Sequence, residues 1–179
     1  MQVRDRVVRL RLPVGIAVLG LQAEPQIGGI RHRDGRLLDG ESGNAGHIGH
    51  VIVEPEGRLC ECGARGCLEA EASGPAVAAR INRPAAEADA ATVTRTGTLV
   101  GRAVASVANL LDLRLAVVGG SVALGYGAPF FSAAQAELDA RARLDFSVGA
   151  RIVPVGLGAS GPLIGAAAVG WRSVLEPSG

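Results

Sequence analysis

Three cysteines, two histidines and seven glycines are crowded from Gly43 to Gly74, in the stretch GNAGHIGHVIVEPEGRLCECGARGCLEAEASG, and the rest of the chain has to accommodate them. Soft thiolates from Cys60, Cys62 and Cys67 with an imidazole from His50 are the donor set of a tetrahedral zinc site. Cys60-Glu61-Cys62 opens a tight turn, and Gly63 and Gly66 let the backbone fold back until Cys67 meets the first two sulfurs. The β-branched run Val51-Ile52-Val53 reads as a short strand ending at Pro55. It leaves the metal and returns through a turn at Glu56-Gly57, which makes His50 the fourth ligand. The alternative is three buried or oxidised cysteines and an unrelated histidine. An odd cysteine count and the closeness of Cys60 to Cys62 both speak against a disulfide framework.

The pattern G-x-x-G-x-x-G-H, followed ten positions on by C-x-C-G-x-x-G-C-L-E and then A-S-G, resembles the signature of the ROK family of bacterial sugar kinases and sugar-responsive repressors. Here it is carried by Gly43, Gly46, Gly49, His50, Cys60, Cys62, Gly63, Gly66, Cys67, Leu68, Glu69, Ser73 and Gly74. The resemblance implies an α/β, actin-like (ribonuclease H-like) C-terminal lobe with a zinc-bearing loop. It also implies glucokinase-like phosphorylation of a hexose or N-acylhexosamine, with structural zinc and with ATP and magnesium if the chain is active. Ile27-Gly28-Gly29 with Asp34-Gly35-Arg36-Leu37 resembles the family's phosphate-side hairpin, and Val117-Val118-Gly119-Gly120 its adenosine-side turn. By resemblance, Gly28, Gly29, Gly119 and Gly120 contact nucleotide, while His47, His50 and Glu69 contact sugar. His47 stands where the family carries a glutamate. A carboxylate accepts hydrogen bonds from two hydroxyls, whereas a neutral imidazole accepts one and donates one. The expected organisation is a divergent segment over 1–25, a ROK-like domain over 26–174 and a tail over 175–179.

Composition removes several other classes. All eighteen basic residues are arginine. Without lysine there is no P-loop lysine and no Schiff base, so phosphate must be held by backbone N–H groups, a metal or arginine. A net charge of +1 and 3% aromatic residues give no basis for nucleic-acid binding. The longest apolar run, Leu12 to Leu21, contains Pro13 and falls well short of the ~20 residues that span a bilayer. Reduced thiols suit a cytoplasmic protein without membrane partners.

Along the chain, Val7–Leu12 alternates like a half-buried strand and Val14–Leu21 reads as a more buried one. Ala23-Glu24-Pro25-Gln26 then occupies the place of the family's glycine-threonine-glycine phosphate loop, with a repelling carboxylate and a proline that has no N–H. Asp34-Gly35 predicts a hairpin over Ile30–Leu38. Helix is expected from Glu69 to about Ile81, broken at Gly74-Pro75, with Ser73 capping the second part. Residues 82–91 read as a surface connection or short helix. Leu99, Val100, Ala103, Val104, Val107, Leu110 and Leu111 mark a helix over Thr96–Leu111. A strand over Leu113–Val118, a helix over Phe130–Ala142, a strand over Ala150–Val155 and a helix over Pro162–Val174 complete an α/β alternation.

The resemblance also defines absences. The family's general-base aspartate lies in an E-N-D-A-N run and its first phosphate loop in an aspartate-glycine-threonine run; neither is found, so the catalytic residue is unknown. The expected protein is therefore a truncated kinase lobe, weak or inactive alone. The second reading is a non-catalytic, zinc-stabilised sugar-sensing or dimerisation module, and the third a gene remnant or a coding frame shifted upstream of Ile27. Nothing resembles the helix-turn-helix of family repressors. The apolar stripe Leu163, Ile164, Ala167, Ala168, Trp171 and Val174 predicts a homo-oligomer.

Overall fold

The computed structural model describes residues 16–20, 28–33, 36–37, 40–42, 45–157, 160, 163–164 and 167. Among the described residues, five strands form one mixed sheet: β1 (Ile16–Gly20), β2 (Gly28–Arg33), β3 (Arg36–Leu37), β4 (Leu115–Gly119) and β5 (Arg151–Pro154), in the order β3-β2-β1-β4-β5. β2 and β3 are the expected antiparallel hairpin, with Arg33 opposite Arg36. β1, from the segment before residue 26, lies at the centre, antiparallel to β2 and parallel to β4. The parallel pair β4–β5 continues the sheet.

Among the described residues up to 157, the α-helices are α1 (Leu68–Ala72), α2 (Gly74–Ile81), α3 (Ala90–Leu111), α4 (Ser121–Tyr126) and α5 (Ala128–Arg141). The break between α1 and α2 is where the sequence puts it, because the Ser73 hydroxyl accepts the Ala76 N–H at 3.3 Å and Pro75 needs no donor in a first turn. α3 begins six residues before Thr96. Asp89 accepts the Thr92 N–H at 2.8 Å, and this cap lets the β-branched Thr92-Val93-Thr94 enter the helix. The 82–91 connection contains one short turn of 3₁₀ helix, Ala85–Glu87. α4 is an addition to the expected pattern, a six-residue helix whose length is too short to show periodicity.

α3 packs along α5 over the core of Leu99, Val100, Val104, Phe130, Ala134 and Leu138. The close approach depends on Gly97 and Gly101, one turn apart. A Cβ at either would strike a backbone carbonyl of α5, that of Phe130 or of Ala134. Gly101→Val is therefore expected to lower stability by about 3 kcal/mol through overpacking. Urea titration beside the parent chain measures it, and an unchanged midpoint refutes the close-packing account. Leu110 departs from the expected stripe: it is 80% exposed, at the last turn of α3. Periodicity gives a side chain's direction but not whether another element extends far enough to cover it.

Val51–Val53 is not a strand. Ile52 makes one isolated antiparallel bridge with Cys67, because the facing segment is the irregular returning arm of the cysteine loop. In the last expected helix, Leu163, Ile164 and Ala167 are helical and exposed. Ala168, Trp171 and Val174 lie outside the described residues, as do Val7–Leu12, Ala23–Gln26, Asp34-Gly35 and Gly43. No helix among the described residues is long and apolar enough to cross a membrane.

Candidate metal centre and sugar pocket

The cysteine loop is built by short-range hydrogen bonds. His50 ends a 3₁₀ turn, Ile48–His50, that is closed by its N–H to the His47 carbonyl at 3.1 Å. Gly63 donates to the Cys60 carbonyl at 2.9 Å, which makes the Cys60–Gly63 turn, and Cys60 donates to Ala64 at 2.8 Å. Gly66 has φ +71°, and a Cβ there would run into the Glu54 carbonyl; only glycine fits both demands. Its own carbonyl accepts from Val53 at 2.8 Å and Glu54 at 3.2 Å, which holds the two arms together.

These turns bring His50, Cys60, Cys62 and Cys67 into one cluster whose ligand atoms all lie within 4.8 Å of one another. Cys60 Sγ is 3.8 Å from His50 Nδ1, and Cys62 Sγ is 3.7 Å from Cys67 Sγ. All three cysteines are free thiols; Cys60 and Cys67 are buried and Cys62 is exposed. Burial, then the neighbouring Cys62 and Cys60 thiols, push the Cys67 thiol up to about 12. Hydrogen bonding to the Ala64 backbone, then to Cys60, lowers that of Cys62. Three sulfurs and an imidazole at this range can hold a borderline-soft divalent ion in closed coordination.

The same loop borders a cavity of about 520 Å³, lined by His47, His50 and Glu69 together with Arg58, Glu61 and Ala76. All three expected sugar contacts therefore share one cavity with the cluster. The His47 and His50 rings stack there, with centroids 6.1 Å apart and planes 11° from parallel.

The expected nucleotide glycines also converge. Gly28 pairs with Gly20, and Gly20 with Gly119, so three glycines stand in register across β2, β1 and β4. Gly29 follows Gly28, and Gly120, at φ +96°, leads into α4. No local pattern marks Gly20, since its alignment with Gly28 and Gly119 exists only once the strands pair. Beyond Gly120, a cavity of about 400 Å³ lies between α2 and α4, lined by Gly74, Pro75, Ala78, Ser121, Val122 and Tyr126. Pro75 borders both cavities.

Two charged groups that sequence reasoning passed over hold the loop to the helical layer. Glu71, only 3% exposed, accepts the Arg58 N–H at 2.6 Å and pairs with Arg95 at 2.5 Å. Arg102 donates to the Val53 carbonyl at 2.6 Å and to Glu137 at 2.9 Å, joining the loop to α3 and α5. One signal was available: residues two apart on a helix point roughly opposite ways, so Glu69 and Glu71 cannot both face one pocket.

A mixed α/β sheet with glycines at the carboxyl ends of its parallel strands is a ligand-binding layer, and here it stands in one fold with a half-polar cavity and a thiol–imidazole cluster. The chain belongs to the ROK family, whose family model matches residues 27–172. It is 40% identical over 116 residues to the N-acetylmannosamine kinase of Citrobacter koseri, covering 56% of this chain and 40% of that one. The N-acetylmannosamine kinase of Salmonella typhi is 38% identical over 109 residues, with 52% and 38% covered. The ROK hexokinase of Thermus thermophilus superposes with a TM-score of 0.69 at 30% identity, over 89% of this chain and 60% of that one. A ROK family glucokinase from Streptomyces griseus, in complex with glucose and AMPPNP, shares the fold at a TM-score of 0.69 and 23% identity, with 87% and 60% covered. The chain thus spans about 40% of the length of these curated relatives.

Proposed function

We propose that this chain is the sugar- and metal-binding lobe of a ROK kinase for an N-acylhexosamine, with ATP as phosphoryl donor. The observation that carries it is the convergence of His47, His50 and Glu69 on one cavity beside the cysteine cluster. Glu69 accepts hydrogen bonds from sugar hydroxyls. His47 exchanges the family's double acceptor for an imidazole that also donates, which suits an acyl carbonyl. The 40% identity to an N-acetylmannosamine kinase favours the same substrate class.

Zinc fits His50, Cys60, Cys62 and Cys67. Bonds of about 2.3 Å to sulfur separate tetrahedral sulfurs by about 3.7–3.8 Å, and Cys62 and Cys67 are 3.7 Å apart. Four protein ligands leave no open position, so the ion cross-links the loop and takes no part in the reaction. If His50 ligates through Nδ1, the atom beside Cys60, its Nε2–H remains to donate to a sugar oxygen. Nucleotide phosphates, with magnesium, lie along Gly28, Gly29, Gly119 and Gly120, where backbone N–H groups replace the absent lysine.

We assign the ROK-like domain to residues 26–174, completed by the central strand β1 from the segment before it, with 175–179 a tail, in a cytoplasmic homo-oligomer seated on the exposed Leu163 and Ile164. The deprotonating aspartate is not among the candidate residues. Turnover by this chain alone is thus expected to fall 10²–10⁴-fold below complete relatives, the loss typical of one missing acid–base group. Calorimetric titration with N-acetylmannosamine, N-acetylglucosamine, glucose and mannose tests the assignment, beside a coupled ADP-release assay. Binding of the N-acyl sugars, weakened about tenfold or more in Glu69→Gln, is the expected result. Preference for glucose removes the substrate assignment, and robust turnover removes the missing-base account. Sugar binding without nucleotide binding would instead favour a sugar-sensing module, a reading supported by the fold shared with a ROK transcriptional regulator at a TM-score of 0.66 and 25% identity.

A further inference from the structure

The four groups of the cluster differ in how far water reaches them. Cys67 is 0% and Cys60 5% exposed, whereas Cys62 stands at the surface. Cys62 sits in the Cys60–Gly63 turn, and the Cβ position of the adjoining Gly63 meets no atom within 4 Å, so this side of the turn has open space beside it. The Cys62 sulfur is 3.7 Å from that of Cys67, and a disulfide needs about 2.05 Å. Movement of the turn alone can close such a gap, while Cys67 stays anchored by the bridge from Ile52.

We propose that Cys62 is an oxidation site, at which a hydroperoxide closes a Cys62–Cys67 disulfide and releases the metal. This rests on the zinc assignment above and adds a regulation to it. The Cys62 sulfur attacks the O–O bond of the peroxide and keeps one oxygen as a sulfenic acid; the other leaves as hydroxide and is protonated to water. The Cys67 sulfur then attacks the Cys62 sulfur, the S–O bond breaks, and the departing hydroxide takes a proton to become the second water. Two thiolates, one hydrogen peroxide and two protons thus give one disulfide and two waters. The sulfurs lose the two electrons that the peroxide gains. The ion is left with His50 and Cys60 and dissociates. Because His50 also lines the sugar cavity, oxidation removes the support of a sugar-contacting side chain. The device is reversible, since a dithiol reductant reopens the disulfide and zinc can rebind.

The test uses the full chain loaded with zinc and exposed to hydrogen peroxide. Released metal is followed with a chromogenic chelator, and free thiols are alkylated before peptide mapping. The expected result is one zinc released per Cys62–Cys67 disulfide, with both changes reversed by dithiothreitol and fresh zinc. Cys62→His keeps four ligands but removes the exposed sulfur, and should release zinc at least about tenfold more slowly. Zinc retained with Cys62 still alkylatable, release with the disulfide at Cys60, or equally fast release from Cys62→His would each overturn the proposal. A chain that takes up no zinc before oxidation fails at the earlier assignment instead, so the two failures are told apart.

Discussion

Cys67→Ser is expected to leave the chain without metal and to unfold the loop between His47 and Ser73. Cys67 is fully buried, with Cys62 Sγ 3.7 Å away, so a serine leaves a hydroxyl that is a poor zinc ligand inside a site built for thiolate. Structural zinc contributes apparent binding energies on the order of 10 kcal/mol to small domains. That exceeds what the loop's few large buried apolar residues, Ile48, Val53 and Leu68, supply at roughly 1.5–3 kcal/mol each. The loop's Ile48, Val53 and Leu68 share one core with α3 and α5, but these helices still pack on each other through Leu99, Val100, Val104, Phe130, Ala134 and Leu138, so the loss should be largest in the loop. Metal analysis and amide hydrogen exchange decide it. The parent should carry close to one zinc per chain, with slow exchange at Gly63 and Gly66, whose N–H groups bond to Cys60 and Arg58. The variant should carry none and exchange fast at both. A metal-free parent with an unchanged melting curve would refute the zinc assignment.

Glu71→Ala should cost about 3–5 kcal/mol, the range for removing one partner of a buried ion pair. It strands the Arg95 guanidinium, whose side chain is only 27% exposed, and leaves the Arg58 N–H without its acceptor. The pH dependence follows from the same contacts. Burial pushes the Glu71 carboxyl up, but the Arg58 N–H, the Arg95 guanidinium and the charge of Arg80 outweigh it, so the net shift is downward. A carboxyl with a depressed folded pKa contributes its full stability above the unfolded value, about 4.3 for glutamate, and loses it as pH falls through the folded value. The stability gap between the parent and Glu71→Gln should therefore be wide at pH 7 and narrow below about pH 4. Urea titrations across that range measure it. A gap that stays constant would mean that the Glu71 charge contributes nothing.

The cysteine cluster and its neighbours along the loop are legible in the amino-acid sequence because their information is short-range. Cys60, Cys62 and Cys67 are joined by tight turns, and His50 is ten residues from Cys60, so the turns alone bring the donors near one another. Ser73 with Pro75 and Asp34-Gly35 are local signals for the same reason: a cap or turn is completed by residues within four positions. The helix–strand alternation is readable too, since periodicity within ten or so residues reports which side of an element is apolar.

Only the tertiary structure decided which distant residues meet. β1 lies at the centre of the sheet, and Gly20 aligns with Gly28 and Gly119 through hydrogen bonds that no local pattern encodes. Glu71 finds Arg95, and Arg102 finds Val53 and Glu137, across 24 to 49 positions of sequence. Leu110 is left in water and Val51–Val53 never becomes a strand, because burial and ladder pairing depend on the facing segment. Sequence spacing settles geometry where a few torsions separate the partners. Where dozens intervene, the partner is chosen by which surfaces pack, and that choice exists only in the folded chain.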